Sequence, residues 1–145
     1  MKLIALLLLG VNLAVLTSGI AEEVGRDCSA EYYLGRADEF LNKRVMLIAT
    51  DINVPAKNAG TEDSYRIFDV VTGYRETVRG EGRSIETRYA GWIRIVIEKE
   101  KAEKLVGDLQ KAHANNTHDA IFGVFKKWDL KNHEPKNDFY VDLRE

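Results

Sequence analysis

The chain has 145 residues, of which 45% are hydrophobic and 30% are charged. This composition is ordinary for one compact domain with its own core and excludes a disordered or fibrous chain. The formal net charge of -2 at pH 7 excludes nucleic-acid binding through an overall basic excess, so any binding of a polyanion must be local.

The N-terminal stretch has the layout of a secretory signal peptide. Lys2 precedes an apolar run from Leu3 to Leu16, and small residues lead up to Ala21. Because this run is shorter than the roughly 20 residues that a bilayer helix needs, it favours a cleaved signal peptide over a permanent anchor. We therefore predict a signal peptide over residues 1–21 and a single exported domain over residues 22–145. We expect a periplasmic or extracellular location, without stable membrane insertion after cleavage.

The exported chain contains one cysteine, Cys28, so it cannot form an internal disulfide. Arg26 and Asp27 precede Cys28 where a lipoprotein signal has small residues, so lipid attachment is not expected. No histidine lies near it in sequence. An idle or intermolecular thiol is therefore favoured over a catalytic one.

Residues 30–41 carry apolar side chains at helical spacing, which predicts a short amphipathic helix loosened at Gly35. The aliphatic run RVMLIATDINV follows from Arg44. Because its apolar residues fall on both parities, we predict a strand that is buried on both sides or bent by a bulge. Pro55 ends this strand, and KNAGTEDS is a turn-rich connection.

The next two strands form a predicted hairpin around the turn RGEG. The first strand is YRIFDVVTGYRETV, and the returning strand covers about residues 84–97. Side chains alternate with period two, so three isoleucines share a face that we predict to be core: Ile93, Ile95 and Ile97. The other face then carries Arg88, Trp92 and Arg94.

The stretch WIRIVIEKEKAEKLVGDL changes from a strand period to a helical period at Glu98, without glycine or proline at the change. An apolar stripe predicts an amphipathic helix over residues 100–114: Ala102, Leu105, Val106, Leu109 and Ala112. We expect it to end at Asn115 and Asn116, since asparagine suits a left-handed cap. The strand AIFGVFKKWDL, the turn NHEPKND and the strand FYVDL complete the chain.

This order of three strands, one helix and two strands is typical of the OB-fold, a five-stranded Greek-key barrel. We therefore predict a mostly β domain, β1-β2-β3-α-β4-β5, preceded by a short N-terminal helix. Three stretches carry a family resemblance over residues 38–145. FLNKRVMLIATDI is similar to the first strand of many OB domains. SYRIFDVVTG and DAIFGVFKKWDL resemble strands of the bacterial periplasmic OB-fold family and the tRNA-anticodon-like OB group.

The resemblance implies binding rather than catalysis, on the outer face of strands two and three. On that face we predict a ligand-binding surface formed by Tyr74, Arg75, Arg88, Trp92 and Arg94. An aromatic ring stacks on a base or sugar, and a guanidinium pairs with an anion. The sequence departs from the family because YRETVRGEGRSIETRYAG replaces a short hairpin. In the alternative interpretation this hairpin is only solvated, its arginines pair with Glu76, Glu81 and Glu86, and Trp92 packs under the N-terminal helix.

Motifs for catalysis or cofactor binding are not found in the sequence: it has no G-x-S-x-G, no H-E-x-x-H and no phosphate loop. His113 and His118 are five residues apart, not the four that place two metal ligands on one helical face. We therefore predict a non-enzymatic protein without cofactor or metal. The sequon at Asn115 has meaning only in a eukaryotic source.

Two function classes stay open at this point. The first is an exported binding module for an oligosaccharide, nucleic acid, peptide or small anion, although the net charge does not support nucleic acid. The second is a structural or protein-interaction component of a cell-envelope assembly, in which the N-terminal helix or the long hairpin docks a protein partner. Replacement of Trp92 by alanine distinguishes them, because the first predicts a loss of binding and the second a loss of stability.

Overall fold

A computed structural model describes residues 26–53, 64–80, 82–130 and 137–145, with the side chains of residues 77–85 left out. The predicted signal peptide, residues 1–21, lies outside the described residues. So do Glu81 in the predicted hairpin turn and most of the two turn-rich connections. Among the helices of the described ranges, none has the length and apolar character needed to cross a membrane.

The described residues form three α-helices and five β-strands. A 3-10 turn at Arg26–Cys28 precedes helices α1, Ala30–Leu34, and α2, Ala37–Phe40, so the predicted N-terminal helix is divided near Gly35. The long helix α3, Lys99–Ala114, joins the third and fourth strands. The strands are β1, Arg44–Asn53; β2, Tyr65–Gly80; β3, Gly82–Glu98; β4, Asp119–Lys127; and β5, Phe139–Asp142.

The five strands close into a barrel in the order β1-β2-β3-β5-β4, with β4 pairing back to β1. All neighbours are antiparallel except β3 and β5, which are parallel. This Greek-key barrel with a helix between β3 and β4 is the predicted OB-fold class, which is therefore confirmed.

The core fills the barrel and extends to α3. Ile93, Ile95 and Ile97 all point inward, as their alternation predicts. On α3, Ala102, Leu109 and Ala112 are buried, while Leu105 and Val106 are half-buried. The helix ends as predicted, because Asn116 has a left-handed φ of 56°. The stripe read from the sequence is thus the face that α3 turns towards the barrel.

Strand β1 contains the predicted bulge. Its register with β2 shifts between Ala49 and Asp51. Before the shift the buried positions of β1 are odd-numbered, ending at Ala49, and after it the buried residue is Ile52. The apolar residues of both parities therefore all point inward, because the bulge changes the inward parity along β1.

A second bulge, in β3, has a larger effect on the surface. Val71 pairs with Trp92 but Gly73 pairs with Tyr89, so two β3 residues at positions 90 and 91 oppose the single residue Thr72. Gly91 has a φ of +81°, and a Cβ at this position would lie 2.8 Å from the Cγ of Glu31 in α1. Glycine is favoured there because other residues rarely adopt this positive φ, and because α1 packs closely on the bulge. The extra residue reverses the inward and outward parity of β3 beyond this point.

Candidate functional site

The outer face of the barrel at β2 and β3 carries a buried ion pair. Arg94 is only 6% exposed, and its Nε donates to Asp69 Oδ1 at 2.9 Å. The guanidinium also lies over the ring of Trp128, 5.5 Å from its centroid. Arg94 is therefore held by residues of the chain itself. Its guanidinium pairs with the Asp69 carboxylate and lies against the Trp128 ring, and the residue is buried on the sheet.

Residues that follow β4 cover this part of the barrel. Trp128 and Leu130 pack on an apolar cluster outside the barrel, formed by Ile67, Val96 and Tyr140. Trp128 meets the ring of Tyr140 edge-on at 5.5 Å, and the Tyr140 hydroxyl donates to Asp129 at 2.8 Å. Burial first, and then the neighbouring Asp129, raise the pKa of Tyr140 above its ordinary value. Residues 128–130 therefore cover the outer face of the barrel at this point.

Beyond the β3 bulge, β2 and β3 leave the barrel as a two-stranded arm, residues 73–80 and 82–89, paired as far as Gly80 and Gly82. One face of the arm carries charges of both signs. Arg88 contacts Glu76 at 3.0 Å and Glu86 at 3.4 Å. The ion pairing expected for a solvated hairpin is therefore present on this face for these two glutamates. The hydrogen bond to Glu76 is the main reason why the pKa of Arg88 is raised.

Tyr74 lies on the same side of the arm and contacts the N-terminal segment. Arg26 Nη2 donates to the Tyr74 hydroxyl at 3.2 Å, and its guanidinium lies 4.9 Å from the centre of the ring. Next to it, the Thr72 hydroxyl accepts from the Ala30 backbone N–H at 2.9 Å and donates to the Ala90 carbonyl at 2.7 Å. Helix α1 therefore packs on this side of the base of the arm.

The opposite side of β2 and β3 carries a different set of residues, which we call the arm face: Arg75, Thr87, Tyr89 and Trp92. Arg75 and Thr87 are exposed and directly paired, and Tyr89 is 62% exposed. Trp92 is half-buried at the base of the arm. The backbone register continues the same parity out to the pair Arg79 and Arg83, and none of these positions is Asp or Glu in the sequence.

The structure divides the five predicted site residues among three environments. Arg75 and Trp92 belong to the arm face, Tyr74 and Arg88 lie on the opposite side, and Arg94 is buried in its ion pair. The expected grouping of Arg88 with Trp92 and Arg94 does not occur, because the bulge shifts the alternation by one residue between them.

Thr87 and Tyr89 complete the arm face, although strict alternation from Ile93 would place both on the core side of β3. A signal was present in the sequence. Gly91 interrupts an otherwise regular strand pattern, and a glycine inside a strand often marks a bulge. The glycine alone does not show where the extra residue lies in the strand pairing, and the register of β2 and β3 is visible only in the structure.

No protein-family model, no curated protein and no solved structure matches the chain. Its function therefore has to be inferred from the geometry of the barrel and the arm.

The groups considered for catalysis or metal binding are dispersed. His113 Nδ1 lies 3.7 Å from Asp51 Oδ2 across the junction of α3 and β1, while His118 is exposed. Within the described ranges, no three His, Cys, Asp or Glu residues gather in a way that could hold a metal ion. Burial raises the pKa of the Cys28 thiol, and a hydrogen bond with Tyr33 offsets this only in part. A protonated, half-buried thiol is a poor nucleophile.

Proposed function

We propose that the protein is an exported, non-enzymatic binding module that holds an anionic polymer on the outer face of β2 and β3. The arm face supplies the main contacts. One observation carries this proposal: the strand alternation of the arm places its charged groups on different sides. Glu76 and Glu86 both pair with Arg88 on one side, and the side of Arg75 and Tyr89 carries no acidic group among the described residues of the arm.

The chemistry of the arm face selects a class of ligand. The exposed ring of Tyr89 and the half-buried ring of Trp92 offer flat apolar surfaces on which a base or a sugar can stack. The guanidinium of Arg75 presents paired donors to phosphate, sulfate or carboxylate. A polymer whose units combine a flat ring with a negative charge meets both requirements. Acidic oligosaccharides and single-stranded nucleic acids share this chemistry.

The shape of the arm suits a polymer better than a small anion. Eight residues of β2, from 73 to 80, extend beyond the barrel, which corresponds to roughly 25 Å at the usual rise of a strand. A ribbon of this length spans several units of an extended chain. Because the protein as a whole is weakly acidic, we expect modest affinity that falls steeply with salt.

The resemblance of the first, second and fourth strands supports placing the chain beside the bacterial periplasmic OB-fold family, within the confirmed fold class. This placement agrees with the export that the signal-like N-terminus predicts. The long arm is the main difference from that family, and we propose that this arm forms the ligand surface.

Binding of two defined polymers to the purified protein tests the proposal. A heparin-derived oligosaccharide and an oligothymidylate are titrated at low and at moderate salt, and Trp fluorescence is recorded. We expect saturable binding of at least one polymer. Tyr89→Ala should remove about 1 to 3 kcal/mol of binding, as for one stacking contact. Arg75→Ala should weaken binding and reduce the salt slope by about one ion.

Arg88→Ala is the matched control, because it removes the same type of side chain from the same arm on the opposite side. We expect it to bind like the parent protein. Equal loss in Arg75→Ala and Arg88→Ala would show that only the net charge of the arm matters. Failure of the parent to bind either polymer would contradict the proposed function.

A further inference from the structure

The arm has an edge strand that the barrel does not cover. In the described ranges, β5 pairs with β3 only from Arg94 to Val96, so β3 has no partner strand on that side from residue 82 to residue 89. On its other side, β3 is paired with β2 over the same residues. Alternate residues of such an edge turn their backbone N–H and C=O groups away from the sheet, where an added strand can pair with them.

The side chains along this edge are complementary to a second copy of the same edge. Glu86, Thr87 and Arg88 are consecutive and exposed. When two copies of β3 pair antiparallel about a two-fold axis at Thr87, Glu86 of each copy lies directly opposite Arg88 of the other. A two-fold contact requires this self-complementarity, since each patch must match its own rotated copy. Opposite charges that face each other across two strands stabilise the pairing.

We propose that the protein forms a symmetric homodimer in which the β3 edges of two arms pair antiparallel about Thr87. Residues 85–89 of each copy form the pairing, which stops short of the β3 bulge at positions 90 and 91. The result is a four-stranded sheet in the order β2-β3-β3-β2, with a barrel at each end. The axis is perpendicular to this sheet, so Glu86 and Arg88 stay on the side where they already contact each other within one copy.

Other registers of the arm edges place like charges together. Moving the centre of the β3 pairing by one residue sets Glu86 opposite its own copy in one direction, and Arg88 opposite its own copy in the other. A β2 pairing centred near the middle of the β2 part of the arm sets Arg75 opposite Arg79. Like charges directly opposite each other are destabilising. The charges therefore favour the β3 register centred on Thr87.

The contact is small, because only five residues of each copy pair, so we expect a weak dimer that depends on protein concentration. Polymer titrations at protein concentrations well below its dissociation constant report on the monomer. Dimerisation and polymer binding are therefore tested separately, and failure of one leaves the other standing.

Sedimentation velocity of the purified protein at increasing concentration tests the dimer. We expect the parent to shift from monomer to dimer, and Glu86→Arg and Arg88→Glu each to raise the dissociation constant more than tenfold. Each reversal sets like charges opposite each other at two places across the axis. Arg75→Glu is the matched control, because it makes the same charge change on the outer strand of the four and should leave dimerisation unchanged.

Mixing the two reversed variants separates contact between copies from effects within one arm. In an equimolar mixture of Glu86→Arg and Arg88→Glu, both pairs across the axis are again opposite in sign, so a heterodimer should form. Any disturbance of the arm within each variant is still present in the mixture. Recovery on mixing therefore reports pairing between the two copies.

Cross-linking tests the register. Position 87 of one copy faces position 87 of the other at a Cα separation of about 4.5 to 5.5 Å, which a disulfide can span. Thr87→Cys in a Cys28→Ser background should therefore give a disulfide-linked dimer on air oxidation, seen on a non-reducing gel. Tyr89→Cys in the same background is the control, since position 89 is four residues from its own copy, about 14 Å along the strand.

Three outcomes would overturn the homodimer. The first is a parent protein that stays monomeric over the whole concentration range. The second is a dimer that tolerates both single charge reversals, or a mixture of the two reversed variants that does not associate. The third is cross-linking of Tyr89→Cys as fast as that of Thr87→Cys, which would exclude the register centred on Thr87.

Discussion

Asp142 is a carboxylate on the outside of the barrel wall that is nevertheless fully buried. The Arg144 guanidinium donates two hydrogen bonds to it, of 2.8 and 2.7 Å, the Arg144 backbone N–H donates a third of 3.0 Å, and Lys126 Nζ lies at 3.6 Å. Burial by itself raises the pKa of Asp142. The hydrogen bonds and positive charge of Arg144, together with Lys126, outweigh that effect and hold the pKa below its ordinary value. The ionised form is therefore a stabilising element of the folded state.

This depressed pKa predicts an acid-sensitive contribution to stability. The contribution is fully present above the unfolded-state pKa of Asp, about 3.9, and is lost as pH falls through the lower folded-state value. Asp142→Asn should therefore lower the free energy of unfolding at neutral pH and flatten its decline below about pH 4. Urea denaturation at a series of pH values measures both effects. Asp138→Asn, at an exposed position, is the control, and parallel acid profiles for parent and Asp142→Asn would contradict the assignment.

At the scale of elements, the junction of β3 and α3 shows how a strand runs directly into a helix. The strand ends at Glu98 and the helix begins at Lys99, whose N–H donates to the Ser64 carbonyl at 2.9 Å. That bond satisfies one of the donors that a helix leaves open at its first turn. The hydrogen bond to Ser64, just before β2, fixes the point where the chain turns from strand to helix, so no glycine or proline is needed there.

The packing of α3 predicts different effects for its two leucines. Leu109 has no exposed area, whereas Leu105 is half-buried at the edge of the same core. Leu109→Ala should lower the free energy of unfolding by about 2 to 5 kcal/mol, as for other buried leucines. Leu105→Ala should cost about 1 to 2 kcal/mol, because less apolar area is lost. Chemical denaturation compares them, and equal stability of Leu109→Ala and the parent would remove α3 from the core.

The whole molecule combines a closed barrel with a two-stranded arm that extends beyond the β3 bulge. In the described part of the arm, contact with the rest of the chain occurs at its base, where Tyr74 meets Arg26. The barrel needs no residue beyond the β3 bulge to close, since β3 pairs with β5 through Arg94 to Val96. Fold and proposed ligand surface are therefore separable.

Removal of the arm tests this separation. When residues 75–87 are replaced by Asn-Gly, the directly paired Tyr74 and Arg88 are joined by a turn that suits a two-residue hairpin. We expect a folded barrel whose unfolding temperature is close to that of the parent, together with weaker polymer binding, because Arg75 is removed while Tyr89 and Trp92 remain. Circular dichroism and the polymer titration measure the two properties. A shortened protein that unfolds would show that the arm stabilises the barrel.

Much of this fold could be predicted from local pattern. The period change at Glu98, the isoleucines at 93, 95 and 97, and the stripe on α3 each depend on residues close together in the chain. Periodicity reports which side of an element is apolar, and one apolar side is what a barrel interior needs. The site was predicted less completely, because it depended on carrying that alternation unbroken from Ile97 back to Arg88.

The sequence by itself determined the order of the elements, the inward faces and the barrel class, since these follow from short-range hydrophobic spacing and its period. Only the tertiary structure decided which polar residues share a surface. The bulge opposite Thr72 moves Arg88 away from Trp92, and Asp69 and Trp128 enclose Arg94 from distant parts of the chain. A one-residue change of register reverses every side chain beyond it, and long-range partners leave no periodic trace in the sequence.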